Sequence, residues 1–113
     1  MVVRQGEVWW ADLPQPSGSG PGFRRPVVIV QGNPLKRSGI ATVVVPLTTR
    51  LAWFDAPGNV LLKARASGLG EDSVANVSQI IAVDKVLLTE PLGQLSKSML
   101  EQVLDGIDIV LDR

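Results

Sequence analysis

The chain has 113 residues, a length suited to one domain with its own core. Lys and Arg number 11 against 11 Asp and Glu, and 45% of residues are hydrophobic with only 19% charged, which excludes wholesale disorder. There is no Cys, His or Tyr, so disulfides, thiolate or imidazole catalysis and Cys/His metal sites are excluded.

Glu7–Leu13 mixes aromatic and β-branched residues and reads as a strand. Pro14–Gly22 carries three Pro and three Gly, offers no apolar face and reads as a long surface loop. Pro26–Gly32 (PVVIVQG) is a continuous apolar run, hence a buried strand, with its Pro at a permitted first position. Asn33–Gly39 is a connection and Ile40–Thr48 a second buried strand. Thr49–Gly58 reads as a loop that displays Trp53 and Phe54. Asn59–Ala64 is a strand, Ala66–Ser73 a turn region, and Val74–Val83 and Lys85–Glu90 are further strands.

From Leu95 the period changes. Met99, Leu100, Val103, Leu104, Ile107, Val110 and Leu111 follow the three-and-four spacing of one helix face. Two starts fit: Ser96 as cap with a Leu95/Leu100 staple, or Ser98 with Glu101 as a capping box. Gly106 should weaken the helix interior by about 1 kcal/mol relative to Ala. Glu101, Asp105, Asp108 and Asp112 point outward. The whole chain, 1–113, is therefore expected to be one mainly β domain: a small antiparallel barrel of six or seven short strands with a C-terminal helix. The N-terminus has no signal-peptide pattern, and no apolar run approaches the ~20 residues of a membrane helix, so a cytoplasmic, non-membrane protein is expected.

The neutral total hides a division. Residues 1–65 carry eight basic side chains against three acids, and residues 66–113 three against eight. A basic half can attract phosphate, although a solvated surface gives the same count. Within that half, Arg24 and Arg25 stand where a Gly-rich segment enters a buried strand, and Pro26 pushes Arg25 toward extended geometry. A guanidinium on so stiff a joint can grip a phosphate through paired hydrogen bonds. Thr48 closes the other central strand, where its hydroxyl can donate to a phosphate oxygen, and Thr49 and Arg50 follow it. Asn76 and Ser78 alternate onto one strand face and Gln79 onto the other, where amides and hydroxyls can read base edges. Trp9 and Trp10 must face opposite ways, so one is expected in the core, while Phe23, Trp53 and Phe54 can stack on bases. Each of these features also has an ordinary structural reading, as a solvated Arg pair, a strand-closing Thr doublet, a polar strand face or loop anchors. No metal or cofactor site is indicated.

In order, Gly6-Glu7-Val8-Trp9, a Pro/Gly-rich loop, Arg25-Pro26-Val27-Val28-Ile29-Val30, Val45-Pro46-Leu47-Thr48, Ser73-Val74 through Gln79, Val83-Asp84-Lys85 and a final amphipathic helix resemble the MazF/PemK family of toxins from toxin–antitoxin modules. The resemblance implies an SH3-like barrel, a homodimer, and a metal-independent endoribonuclease cutting single-stranded RNA to leave 2′,3′-cyclic phosphate and 5′-OH ends. It also implies a cognate antitoxin that occupies the RNA groove. It places Arg25 and Thr48 on the family's catalytic Arg and Thr/Ser, and Gln79 near the RNA path. Phe23, Arg24, Thr49, Arg50, Trp53, Phe54, Asn76 and Ser78 complete the expected substrate-binding set. The chain departs from some relatives in having Asn76 and Ser78 where they carry Arg and Asp, which concentrates the catalytic expectation on Arg25 and Thr48. The alternatives are a non-catalytic nucleic-acid- or protein-binding barrel and a same-fold toxin that poisons a topoisomerase. The latter works through its C-terminal residues, and the tail here, Ile109 to Arg113, has no Trp.

Overall fold

Continuous runs of Val and Ile form the centre of a seven-stranded antiparallel sheet, because β-branched side chains pack well on a pleated surface covered on both faces. The computed structural model describes residues 2–13, 23–33 and 41–113. The expected loop at Pro14–Gly22 and the connection around 34–39 lie outside the described residues. The strands are β1 (Glu7–Leu13), β2 (Phe23–Ile29), β3 (Ala41–Thr48), β4 (Val60–Leu62), β5 (Ser73–Ala75), β6 (Ile81–Asp84) and β7 (Leu88–Gln94). Their order is β4-β5-β3-β2-β1-β7, with β6 also pairing β3.

One edge of β3 is shared. Thr48 and Leu47 pair with β5, while Ala41 to Val44 pair with β6. At the other end of the sheet, β1 meets β7 with register shifts after Val8 and after Trp10. Such irregularities bend a strand, and here they help the sheet curl. The curl buries both faces. Val8, Val28, Val45, Leu47, Leu62 and Val77 form one core with helix α2 (Lys97–Val110), through Val103 and its neighbours. Val27, Ile29, Val44, Val83 and Leu88 form a second core on the other face. This is the barrel-like sheet with a C-terminal helix that the sequence predicts.

The differences lie in the connections. Val74–Val83 is not one strand: β5 ends at Ala75, Val77–Gln79 form a 3-10 turn, and β6 starts at Ile81. The alternation expected for Asn76, Ser78 and Gln79 is therefore lost. Lys85–Leu87 is likewise a 3-10 turn, and β7 begins only at Leu88. Thr49–Gly58 contains a 3-10 turn at Leu51–Asp55, and Ala64–Ser67 forms a one-turn helix, α1. The strand expected over Asn59–Ala64 shortens to β4, whereas β2 starts three residues before Pro26. Neither Trp9 nor Trp10 is fully buried: Trp9 packs at the margin of the second core, and Trp10 carries the Arg24 guanidinium 4.4 Å from its ring centroid.

The helix start is resolved in favour of Ser96. Its hydroxyl accepts from the Met99 N–H at 3.1 Å, a cap of the kind worth about 1 kcal/mol. Leu95 is buried beside Leu100, as a staple requires. The apolar face ends early, since Val110 and Leu111 are exposed together with Ile109. Glu101, Asp105, Asp108 and Asp112 are exposed as expected.

Candidate active site

The register of β2 against β3 brings the two strongest candidates together. Val27 pairs with Pro46, Val28 with Val45 and Ile29 with Val44. The paired residues end at Val27 and Pro46, and Arg25 and Thr48 each lie two residues beyond them on neighbouring strands, at the same end of the sheet. On the other side Arg25 pairs with Ala11, and Thr48 pairs with Val74. A small side chain and an apolar one thus flank the guanidinium–hydroxyl pair. Alternation puts both groups on the face of Val27, Ile29 and Val44, away from the face covered by α2. Arg25 and Thr48 are half-buried.

The Thr48 hydroxyl oxygen accepts the Arg50 N–H at 3.2 Å. This turn, of the type Ser and Thr commonly make, fixes the oxygen at the point where β3 leaves the sheet. The chain then runs through exposed Thr49 and Arg50 into the turn Leu51–Asp55, where Leu51, Trp53 and Phe54 are about half exposed. An exposed guanidinium and two open aromatic rings thus follow Thr48 within six residues.

Arg24 goes elsewhere. It alternates to the opposite face of β2, where it stacks on Trp10 and pairs with Glu90 at 3.2 Å. It does not join Arg25. Phe23 pairs with Leu13 through the backbone, and its side chain lies outside the described residues.

Ser78 and Gln79 are exposed on the turn between β5 and β6, but Asn76 is buried at 8% exposure. Its N–H donates to the Pro46 carbonyl at 2.9 Å, and its Oδ1 accepts from Ser78 Oγ at 3.5 Å and from Asn59 Nδ2 at 3.4 Å. Asn76 is thus a structural pin beside the site, in place of the solvent-facing amide expected. Asn59, its partner, is 9% exposed and escapes sequence reasoning. Its only local signal is a Pro57-Gly58-Asn59 turn composition, and the residue that explains it lies 17 positions away.

A cation and a hydroxyl on the same face near one end of the sheet, followed by open aromatics, can bind a phosphate and stack bases. Residues 4–111 match the family model for the PemK-like, MazF-like toxin of type II toxin–antitoxin systems. Among curated proteins, the chain is 42% identical to "Endoribonuclease MazF2" of Mycobacterium bovis over 113 residues, covering 99% of each. It is 32% identical to "Endoribonuclease EndoA" of Bacillus subtilis, covering 98% of this chain and 96% of that one. Among solved structures, MazF from Deinococcus radiodurans superposes with a TM-score of 0.82 at 20% identity, covering 100% of this chain and 99% of that one. An endoribonuclease in complex with its cognate antitoxin, from a mycobacterial species, gives 0.74 at 22% identity, covering 98% of this chain and 94% of that one. The curled sheet, its terminal helix and the full-length match agree, and the chain belongs to the PemK/MazF-like toxin family of type II toxin–antitoxin systems.

Proposed function

We propose that the chain is a metal-independent endoribonuclease toxin that cuts single-stranded RNA at short sequences. It acts in the cytoplasm as a homodimer and is neutralised by a cognate antitoxin covering the RNA face. The observation that carries the reading is the pairing of β2 with β3, from Val27–Pro46 to Ile29–Val44, which by alternation puts Arg25 and Thr48 on the same face near one end of the sheet. The endoribonuclease names of the full-length curated relatives support it, as do the antitoxin-bound relatives for the partner.

The reaction uses the substrate's own nucleophile. The ribose 2′-oxygen forms a bond to phosphorus, the bond from phosphorus to O5′ breaks, the 2′-OH proton departs, and O5′ gains a proton. The products are a 2′,3′-cyclic phosphate and a 5′-OH. Negative charge gathers on the non-bridging oxygens in the transition state. Arg25 meets that charge with paired N–H donors and Thr48 with one O–H. Donors fixed before the reaction are worth about 3 kcal/mol each in such a site. The guanidinium, a planar cation with N–H donors and no acceptor, serves as a clamp in the ground state. Arg50, Trp53, Phe54, Thr49, Ser78 and Gln79 line the path of the flanking nucleotides.

The test is cleavage of a long single-stranded RNA in excess EDTA, with end mapping, beside Arg25→Ala and Thr48→Val. Wild type should cut at discrete sites and leave 5′-OH ends. Each variant should lose about 10²–10³ in rate, with an unchanged circular dichroism spectrum. Cleavage by Arg25→Ala at the wild-type rate would remove it from the mechanism. RNA bound but uncut by wild type would make this a non-catalytic binding barrel.

A further inference from the structure

The Asn59 amide faces three chain segments at once. Its Nδ2 donates to the Trp53 carbonyl at 2.9 Å, and its Oδ1 accepts the Val77 N–H at 2.9 Å. A longer contact, 3.4 Å, joins Nδ2 to Asn76 Oδ1, and the Asn76 N–H in turn holds the Pro46 carbonyl, two residues before Thr48. The Asn59 N–H closes the circuit by donating to the Ala56 carbonyl at 3.1 Å. Both amides of the pair are more than nine-tenths buried. An inner amide whose donor and acceptor are both used resists reorientation, because each bond it breaks leaves a buried polar group unpaired.

The segments joined are those that carry the exposed candidates. The Trp53 carbonyl belongs to the turn that displays Trp53 and Phe54. Val77 begins the turn that displays Ser78 and Gln79. Pro46 lies on the strand that ends in Thr48. Neither 3-10 turn has a side-chain cap of its own at its first residue. The Asn59–Asn76 pair is thus the side-chain link that ties both turns to β3, beside the packing of Val77 in the core.

We infer that Asn59 is a positioning residue for RNA: it locks the Trp53–Phe54 turn against the Ser78–Gln79 turn, so that bases flanking the scissile phosphate meet a preformed stacking platform. The inference rests on the ribonuclease reading given above. Asn59 lies away from the reacting atoms, so its loss acts on substrate binding ahead of chemistry. Stacking on an aromatic side chain is sequence-tolerant but needs the ring held in place.

The experiment measures kcat and KM on a single-site RNA for wild type, Asn59→Ser, Trp53→Ala and the double variant. Both changes at position 59 and 53 are neutral in charge, so phosphate attraction is unaltered. Asn59→Ser should raise KM about tenfold and leave kcat within about twofold. In the Trp53→Ala background the same change should raise KM less than about twofold, since the ring it positions is already gone. An unaltered KM for folded Asn59→Ser overturns the inference. So does a loss confined to kcat, or an equal rise in KM with and without Trp53. Should Asn59→Ser not fold, Asn59→Gln, which stays neutral and keeps an amide donor and acceptor on a longer stem, carries the same cycle. Wild type that leaves RNA uncut would instead defeat the ribonuclease reading itself, before any Asn59 variant is compared.

Discussion

A single buried hydroxyl shows how residue-level accounting bears on stability. Thr42 lies on β3, 1% exposed, opposite Val83 of β6. Among the described residues its Oγ1 has no hydrogen-bond partner. A buried hydroxyl without a partner costs about 1–3 kcal/mol of desolvation. Thr42→Val retains the branched shape and removes that cost, so it should raise stability by roughly 1 kcal/mol and Tm by about 4 °C. Calorimetry of the two proteins checks this, and a lowered Tm would mean that the hydroxyl has a partner in solution. The contrast with Thr48 is instructive. Thr48 is only half-buried, and its oxygen is engaged by the Arg50 N–H. The same residue type is a liability inside the sheet and, in the proposed mechanism, a donor at its end.

At the scale of elements, legibility follows the range of the interactions. β1 matches its sequence span residue for residue, and the centres of β2 and β3 are plain, because alternation and β-branching are local signals. Arg25 and Thr48 stand out in the sequence for the same reason, since Pro follows one and an apolar run ends at the other, although β2 starts at Phe23 and puts Arg25 inside the strand. The break inside Val74–Val83 is not legible. It depends on the Asn59 and Asn76 amides meeting across 17 positions, and an apolar run interrupted by three polar residues does not announce that meeting. Gly106 makes the point for a helix. Local propensity treats it as a weak spot, yet in the fold it is buried against the Gly58 carbonyl, where a Cβ would collide with backbone. Gly58 has φ +82° and would clash with the Gly106 carbonyl if it carried a side chain. The two glycines let α2 approach the turn before β4 at backbone contact. Gly106→Ala gains about 1 kcal/mol of helix propensity, but the clash forces the helix away from the turn and costs more. Net destabilisation of roughly 1–3 kcal/mol is expected from urea midpoints. A more stable Gly106→Ala protein would show that the contact relaxes freely.

Across the whole molecule, neutrality conceals polarity. The exposed flank of α2 is acidic through Glu101, Asp105, Asp108 and Asp112, and the helix covers one face of the sheet. Arg25 belongs to the opposite face by alternation, and exposed Arg50 follows Thr48. Two other cations of the basic half are engaged by acids of the second half, Arg24 by Glu90 and Lys63 by Asp72 at 3.7 Å. Lys36 and Arg37 lie outside the described residues. Under the proposed function, an RNA strand approaching such a surface should be repelled from the helix side and drawn to the end of the sheet with Arg25 and Arg50. The number of phosphates it neutralises there is small, which sets the salt response. With about three contacts, the slope of log K against log salt is about −2 for a single strand. Affinity of Arg25→Ala for RNA, measured so that cleavage does not intervene, should then follow two contacts and a slope nearer −1.4. For an uncleavable 2′-deoxy analogue of the same sequence on wild type, the loss between 50 and 200 mM salt is about fifteenfold. A response flat across that range would mean that base stacking and hydrogen bonds carry the binding alone, and the charge division along the chain would be a property of its surface without a part in RNA capture.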